Sequence, residues 1–257
     1  MFSINPFAEL SSTISPAVMQ AYVIIMIALV AGGTLFDIVH KKSAKYFFSN
    51  WRKAREKGSR DVGSGEVLGI TVKTAVVEVA TSGEFCSVKR RIAHLLTMYG
   101  FIAYIVTTCI MVFATSPTAP IVVQLWWLGA AMICLGGYWF WFFIRVDVAA
   151  EGNSPFRIMR ADLFVLSLLV SATLGLVWAY LQATGSAWAM LSLGLYLIAT
   201  TVFFGSVPWS KFSHMFFKPA AALQKRVAEA DGSRSNLPSP ADEPEQFGSA
   251  RRQPHHY

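Results

Sequence analysis

Apolar positions dominate five stretches of the chain: Ala17–Val39, Ile92–Ala114, Ile121–Ile144, Leu163–Gln182 and Ala187–Val207. At about 1.5 Å rise per residue, such runs match a hydrocarbon core roughly 30 Å thick. The pattern predicts an all-α integral membrane protein, a five-helix transmembrane bundle. Two of the connections are tight. SPTAP is a proline-containing turn after the second span, and ATGS follows the fourth. The others are longer and polar.

Between the first two spans lies His40–Arg91. Its first part, KKSAKYFFSNWRKAREK, sets Tyr46, Phe47, Phe48 and Trp51 against lysines and arginines, the pattern of a helix lying on a membrane surface. Its second part, GEVLGITVKTAVVEVATSGEF, is amphipathic and β-branched, and periodicity leaves a short helix and a hairpin equally open. Arg145–Asp162 is a polar loop, and the aromatic cluster YWFWFF before it suits an interfacial belt. Pro208 breaks the fifth run. Residues 208–228 then read as an interfacial helix and 229–257 as a disordered tail rich in Gly, Ser, Pro and charge. Met1–Pro16 is a short lead. It lacks a positive n-region, so a cleaved signal peptide is not expected.

Composition sharpens this picture. The chain is 54% hydrophobic and 14% charged, against about 25% charged in soluble domains. Of its 22 Lys and Arg, 12 fall in His40–Arg91, three in Arg145–Asp162 and seven in the C-terminal part. The lead and the two tight turns carry none. The positive-inside rule therefore puts the N-terminus outside and the C-terminus in the cytoplasm, in a multi-pass protein of the inner (cytoplasmic) membrane. The net charge of +7 is orientation and surface charge, with no nucleic-acid reading. Two explanations remain for the basic segment: anionic lipid headgroups, or an acidic soluble partner steered by charge. Gly63–Phe85, less charged than its flanks, is the best candidate for a docking element. Cys86, Cys109 and Cys134 have no metal or disulfide spacing.

Chemistry is carried by histidines. His94 opens the second span behind Arg90 and Arg91, and an ionisable residue at such a place is a functional candidate. His40 ends the first span and His214 follows the fifth. With the expected topology all three fall at one depth near the inner surface. Two facing helices that each offer one imidazole make a bis-His haem b site, with His94 and His214 as iron ligands. Arg90, Arg91 and Lys211 are placed to pair with propionates. The alternative for each histidine is an interfacial residue with a wet tip, which suits His40 well beside Lys41 and Lys42. A quinone site needs an apolar slot and a proton-handling group. Trp209, Lys211, His40 and Asp37 are candidates, although Trp209 and Lys211 also read as interface anchors. Asp37 and His40 share a helix face, as a proton relay or as a solvated pair.

The segments RRIAHLLTMYGF and VPWSKFSHMFFKP resemble the haem-binding second and fifth helices of the nitrate-reductase gamma-subunit type of membrane cytochrome b. Its broad family includes membrane subunits of heterodisulfide reductase, of the sulfite-reductase-linked complex and of the quinone-interacting oxidoreductase. The P-x-S-K-x-x-H element is most similar to the heterodisulfide-reductase and quinone-interacting branch. The likeness extends to the membrane anchor of dissimilatory adenylylsulfate reductase. It covers about Ala17 to Pro219. It implies haem b, quinone as an exchangeable substrate, and a cytoplasmic flavin/iron–sulfur oxidoreductase as partner, adenylylsulfate reductase above all. The family's inner histidine pair matches His94 and His214. Its outer pair falls on Tyr104 and Tyr196, a departure that implies one inner-face haem rather than two.

The expected function is an electron-transfer subunit with no substrate chemistry of its own. The competing reading is a haem-free anchor that only recruits a soluble enzyme. A transporter is disfavoured, because the sequence carries no internal repeat, no broken mid-span helix and no charge at mid-depth.

Overall fold

The computed structural model describes residues 2–40, 42–56, 58–83, 85, 87–145, 156, 158–159, 162–209 and 214–233, with the side chains of 43, 46, 54, 214, 216 and 217 excepted. Among the described residues every regular element is helical. Helix α1 is Pro6–Leu10, α2 Pro16–His40, α3 Ser43–Arg55 and α4 Ser64–Thr74, which continues as a π-helical turn over Ala75–Ala80. Helix α5 is Val88–Phe113, and α6 is Pro120–Trp139 with a π-helical end at Phe140–Ile144. Helix α7 is Leu163–Ala183, α8 Ala189–Gly205 and α9 His214–Ala230. The stretch left open between helix and hairpin is thus helical.

Four helices are long and apolar enough to cross a membrane: α2, α5, α6 with its π-helical end, and α7. Helix α8 is also apolar but spans 17 residues, about 25 Å at helical rise. The boundaries follow local chemistry. Pro120 stands at the first position of α6, where a missing N–H costs nothing. Asn5 caps α1 by accepting the Phe7 N–H at 3.0 Å. Its amide also donates to the Met111 carbonyl at 3.2 Å, tying α1 to the end of α5.

Helices α5 and α6 form the tightest pair, because glycines let their backbones touch. A β-carbon on Gly129 would lie 2.8 Å from both the Gly100 oxygen and the Tyr104 nitrogen. Small residues at such crossings allow the close approach that drives helix association in lipid. Helices α7 and α8 pack as a second hairpin, and α7 lies against α6. Trp126, Trp178, Phe203, Ile133 and Val123 are fully buried between these four helices. Helix α2 is the outlier. It leans on α5 and α8 along one side only, and few of its residues are buried.

At one end of the bundle α3, α4 and α9 form a polar cap. The Ser59 N–H donates to the Asp231 carbonyl at 2.8 Å, and Arg60 Nε to the Ala230 carbonyl at 2.7 Å. Arg226 pairs with Glu78 at 2.6 Å. The residue at which the tail was expected to start, Glu229, lies inside α9, and Asp231 and Ser233 are buried. The rest of that tail, 234–257, lies outside the described residues. So does most of the polar loop before α7, whose two ends are clasped by an ion pair between Arg145 and Asp162.

Candidate functional site

Helix α5 carries two polar features, one at its start and one near its middle. At its start, His94 is half-buried. The turn that joins α4 to α5 folds back over it. The Ala80 carbonyl accepts from the Tyr99 hydroxyl at 2.7 Å, and the Thr81 carbonyl from Arg91 Nε at 2.7 Å. Ser82, the next residue, sets its Oγ 2.9 Å from His94 Nδ1. The Phe85 ring packs on the imidazole at 4.9 Å between centroids. Lys218, one turn into α9, holds its Nζ over the other partner of that contact, 5.4 Å from the Phe85 ring centre. The start of α9 therefore lies at the His94 end of the bundle.

The expected site residues divide on this frame. Arg91 bonds the turn over His94, and Arg90 beside it is half-exposed. His214 is the first residue of α9, but its side chain lies outside the described residues, and Lys211 lies outside them altogether. His40 ends α2, exposed, with its ring stacked on Phe36 at 5.1 Å. Asp37, which helical spacing put on the same face, is instead only 3% exposed. The expectation of a solvated Asp37–His40 pair thus gives way to a buried carboxylate and an exposed imidazole. Trp209 is 67% exposed, as an interface anchor would be.

Near the middle of α5, the Tyr104 hydroxyl donates to the Tyr196 hydroxyl of α8 at 2.8 Å. Both residues are about 95% buried, at 4% and 5% exposure. Trp126 lies against Tyr104 at 5.1 Å, and Trp178 stacks on Tyr196 at 5.8 Å. Phe7 of α1 closes the row, 5.1 Å from Trp178 and 6.1 Å from Trp126. Gly175 makes the room: a β-carbon there would sit 2.5 Å from the Tyr104 oxygen. The two tyrosines singled out as a departure from the resembled family are therefore direct partners. Trp126, Trp178 and Gly175 were not singled out from the sequence. Gly175 and Trp178 stand three residues apart on α7, but no spacing links them to Trp126 on α6.

Between α2 and the bundle runs an apolar cleft of about 750 Å³. Phe101, Ile105, Leu197 and Phe203 line it, with Tyr104 and Tyr196 on its floor and Met215 of α9 at one end. Its walls are almost entirely apolar apart from a few hydroxyls such as Thr108, Ser171 and Thr200. A volume in this range is typical of sites for small ligands and cofactors. Phe101 stands two helical turns beyond His94 on the same face of α5, so the cleft runs toward the histidine end. Among the described residues, no group of three or more His, Cys, Asp or Glu could hold a metal ion. A pair of axial imidazoles is a different donor set and needs no such group.

The cap is the candidate partner surface. Helix α4 and its π-helical continuation, within the segment expected to dock a partner, expose Leu68, Val72 and Val76. Arg60 forks onto Glu66 with bonds of 3.0 and 2.6 Å. That hydrogen bond, with the attraction of the guanidinium, holds the Glu66 carboxyl below its ordinary range. In comparisons with known proteins, no family model, no curated protein and no solved structure matches this chain.

Proposed function

We propose that this protein is a five-span membrane subunit, N-terminus outside and C-terminus cytoplasmic. It would pass electrons between the quinone pool and a cytoplasmic flavin/iron–sulfur oxidoreductase, adenylylsulfate reductase being the partner the family resemblance favours. The observation that carries the reading is His94. It stands at the head of an apolar helix, with Nδ1 on the Ser82 hydroxyl, Phe85 on its ring and the start of α9 close by. Orientation of one ring nitrogen by a second residue is the usual arrangement of a metal-ligating histidine. This setting of His94 supports a haem b at this end. His94 and His214 would ligate its iron, and Arg90, Arg91 and Lys211 would pair with its propionates.

When bound, the haem supplies one-electron transfer. The chain's own residues do the rest. The cleft beside α2 supports an apolar ligand the size of a quinone. Asp37, buried near the end of α2, is the polar group proposed to serve it. The basic surface of α3 and the exposed apolar residues of α4 would receive the soluble partner.

The test is the reduced-minus-oxidised optical spectrum of the purified protein, with haem-to-protein stoichiometry. One b-type haem per chain is expected, lost in His94→Ala and in His214→Ala. A folded preparation without haem would overturn the reading in favour of a haem-free anchor. Two haems would place a second ligand pair elsewhere, His40 among them.

A further inference from the structure

Ser82 adopts a backbone φ of +49° and is 1% exposed. A side-chain-bearing residue in the left-handed region is uncommon and persists only where its surroundings hold it there. Here the hold is visible. The Thr81 N–H donates to the Val76 carbonyl at 3.0 Å, and the Gly83 N–H to the Val77 carbonyl at 2.7 Å, closing the end of the π-helical turn. From the opposite side α5 grips the same strip with Tyr99 on Ala80 and Arg91 on Thr81. Those two residues flank His94 in sequence. Three consecutive residues of the turn, 80 to 82, thus meet three side chains of α5, and the third meeting is Ser82 on His94.

Gly or Asn would adopt this φ more readily, and the buried hydroxyl has His94 Nδ1 as its partner. We infer that Ser82 is a positioning residue for His94: it fixes the ring's rotation and keeps the proton on Nδ1, so that Nε2 is the nitrogen presented as a ligand. This rests on the haem reading above. A hydroxyl acceptor also sets the character of the ligand. It withdraws the Nδ1 proton less than a carboxylate would, which leaves the imidazole a weaker donor to a metal.

The test uses the full-length protein in detergent or nanodiscs and two substitutions that both tolerate the backbone. Ser82→Gly removes the hydroxyl and relieves the positive φ, so a defect cannot come from strain. Ser82→Asn tolerates the φ and restores a polar side chain. The expected result is a haem-release rate about 10-fold faster in Ser82→Gly, the low end of the range for loss of an outer-sphere partner. A shifted midpoint potential should accompany it, and Ser82→Asn should recover both toward the unchanged protein. In ¹⁵N-histidine-labelled apoprotein, His94 should be the Nδ1–H tautomer, and Ser82→Gly should mix the two tautomers. If the unchanged protein binds haem and Ser82→Gly alters neither release, potential nor tautomer, the role given to Ser82 is overturned while the haem reading stands. If the unchanged protein binds no haem, the spectrum of the unchanged chain reports that failure before any variant is made, and the iron-positioning role falls with it.

Discussion

Tyr104 and His94 stand on the same helix, yet their surroundings are built differently. Tyr104 is enclosed by Trp126 of α6, the bare backbone of Gly175 on α7 and Tyr196 of α8, and its hydroxyl is satisfied by another hydroxyl. Its neighbours are distant in sequence and meet only because the bundle closes. His94 is held by residues within about one connecting turn of it: Ser82, Phe85 and the strip gripped by Arg91 and Tyr99. It is half-buried and lies beside a charged cap. The first region locks helices together, its two hydroxyls paired with each other. The second orients a half-buried polar ring at the end of the bundle toward which the apolar cleft runs.

The comparison breaks most visibly at Trp126. Trp126→Ala removes a fully buried indole that touches Phe7, Tyr104 and Trp127 and donates to Thr108 at 2.9 Å. We expect a loss of about 3–5 kcal/mol, read from SDS-titrated unfolding followed by circular dichroism. The His94 tautomer should not change. A loss below about 1 kcal/mol would mean that the aromatic level does not hold the bundle together.

A smaller effect sharpens the contrast. Tyr104→Phe, Tyr196→Phe and the double variant form a cycle whose coupling should be about 0.6 kcal/mol, the average for hydrogen bonds between helices in lipid. The double variant should keep any bound haem, because these hydroxyls face each other and not His94. Loss of haem on removing them would join the two regions that the structure separates.

The smallest effect lies in the cap. Glu66 has a folded-state carboxyl held below its unfolded value by Arg60, first through the hydrogen bond and then through charge. A depressed carboxyl stabilises above the unfolded pKa, and that contribution disappears as pH falls through the folded one. Limited proteolysis between α3 and α4 should therefore be slow at neutral pH and rise below about pH 4, the ordinary carboxyl range. In Glu66→Gln it should be faster at neutral pH and nearly flat with pH. The pair is exposed on both sides, so bundle stability should not respond.

Much of the architecture was legible from the chain because a helix satisfies its own backbone. A long apolar run needs no distant partner to be helical in lipid, so the positions of α2, α5, α6, α7 and α8 could be read directly. His94 could be singled out for the same local reason: a polar ring at the head of an apolar run is conspicuous. The helix or hairpin after Gly63 could not be decided, since β-branched amphipathic residues serve both. Asp37 shows the limit of helical spacing. It shares a face with His40, but a helix end turns its last side chains individually, and only the packing of α2 on the bundle buries one and exposes the other.

Sequence alone determined where the five apolar helices lie and on which segments the charge falls. These follow from composition over windows of about 20 residues. Tertiary structure alone decided that Gly129 lies on Gly100, that Gly175 opens space for two tyrosines, and that Ser82 reaches His94. A missing β-carbon has meaning only opposite the atom it would strike, and a hydroxyl only opposite the group it bonds. Those opposites are chosen by how helices cross and how one strained turn folds back, neither of which is written as a period along the chain.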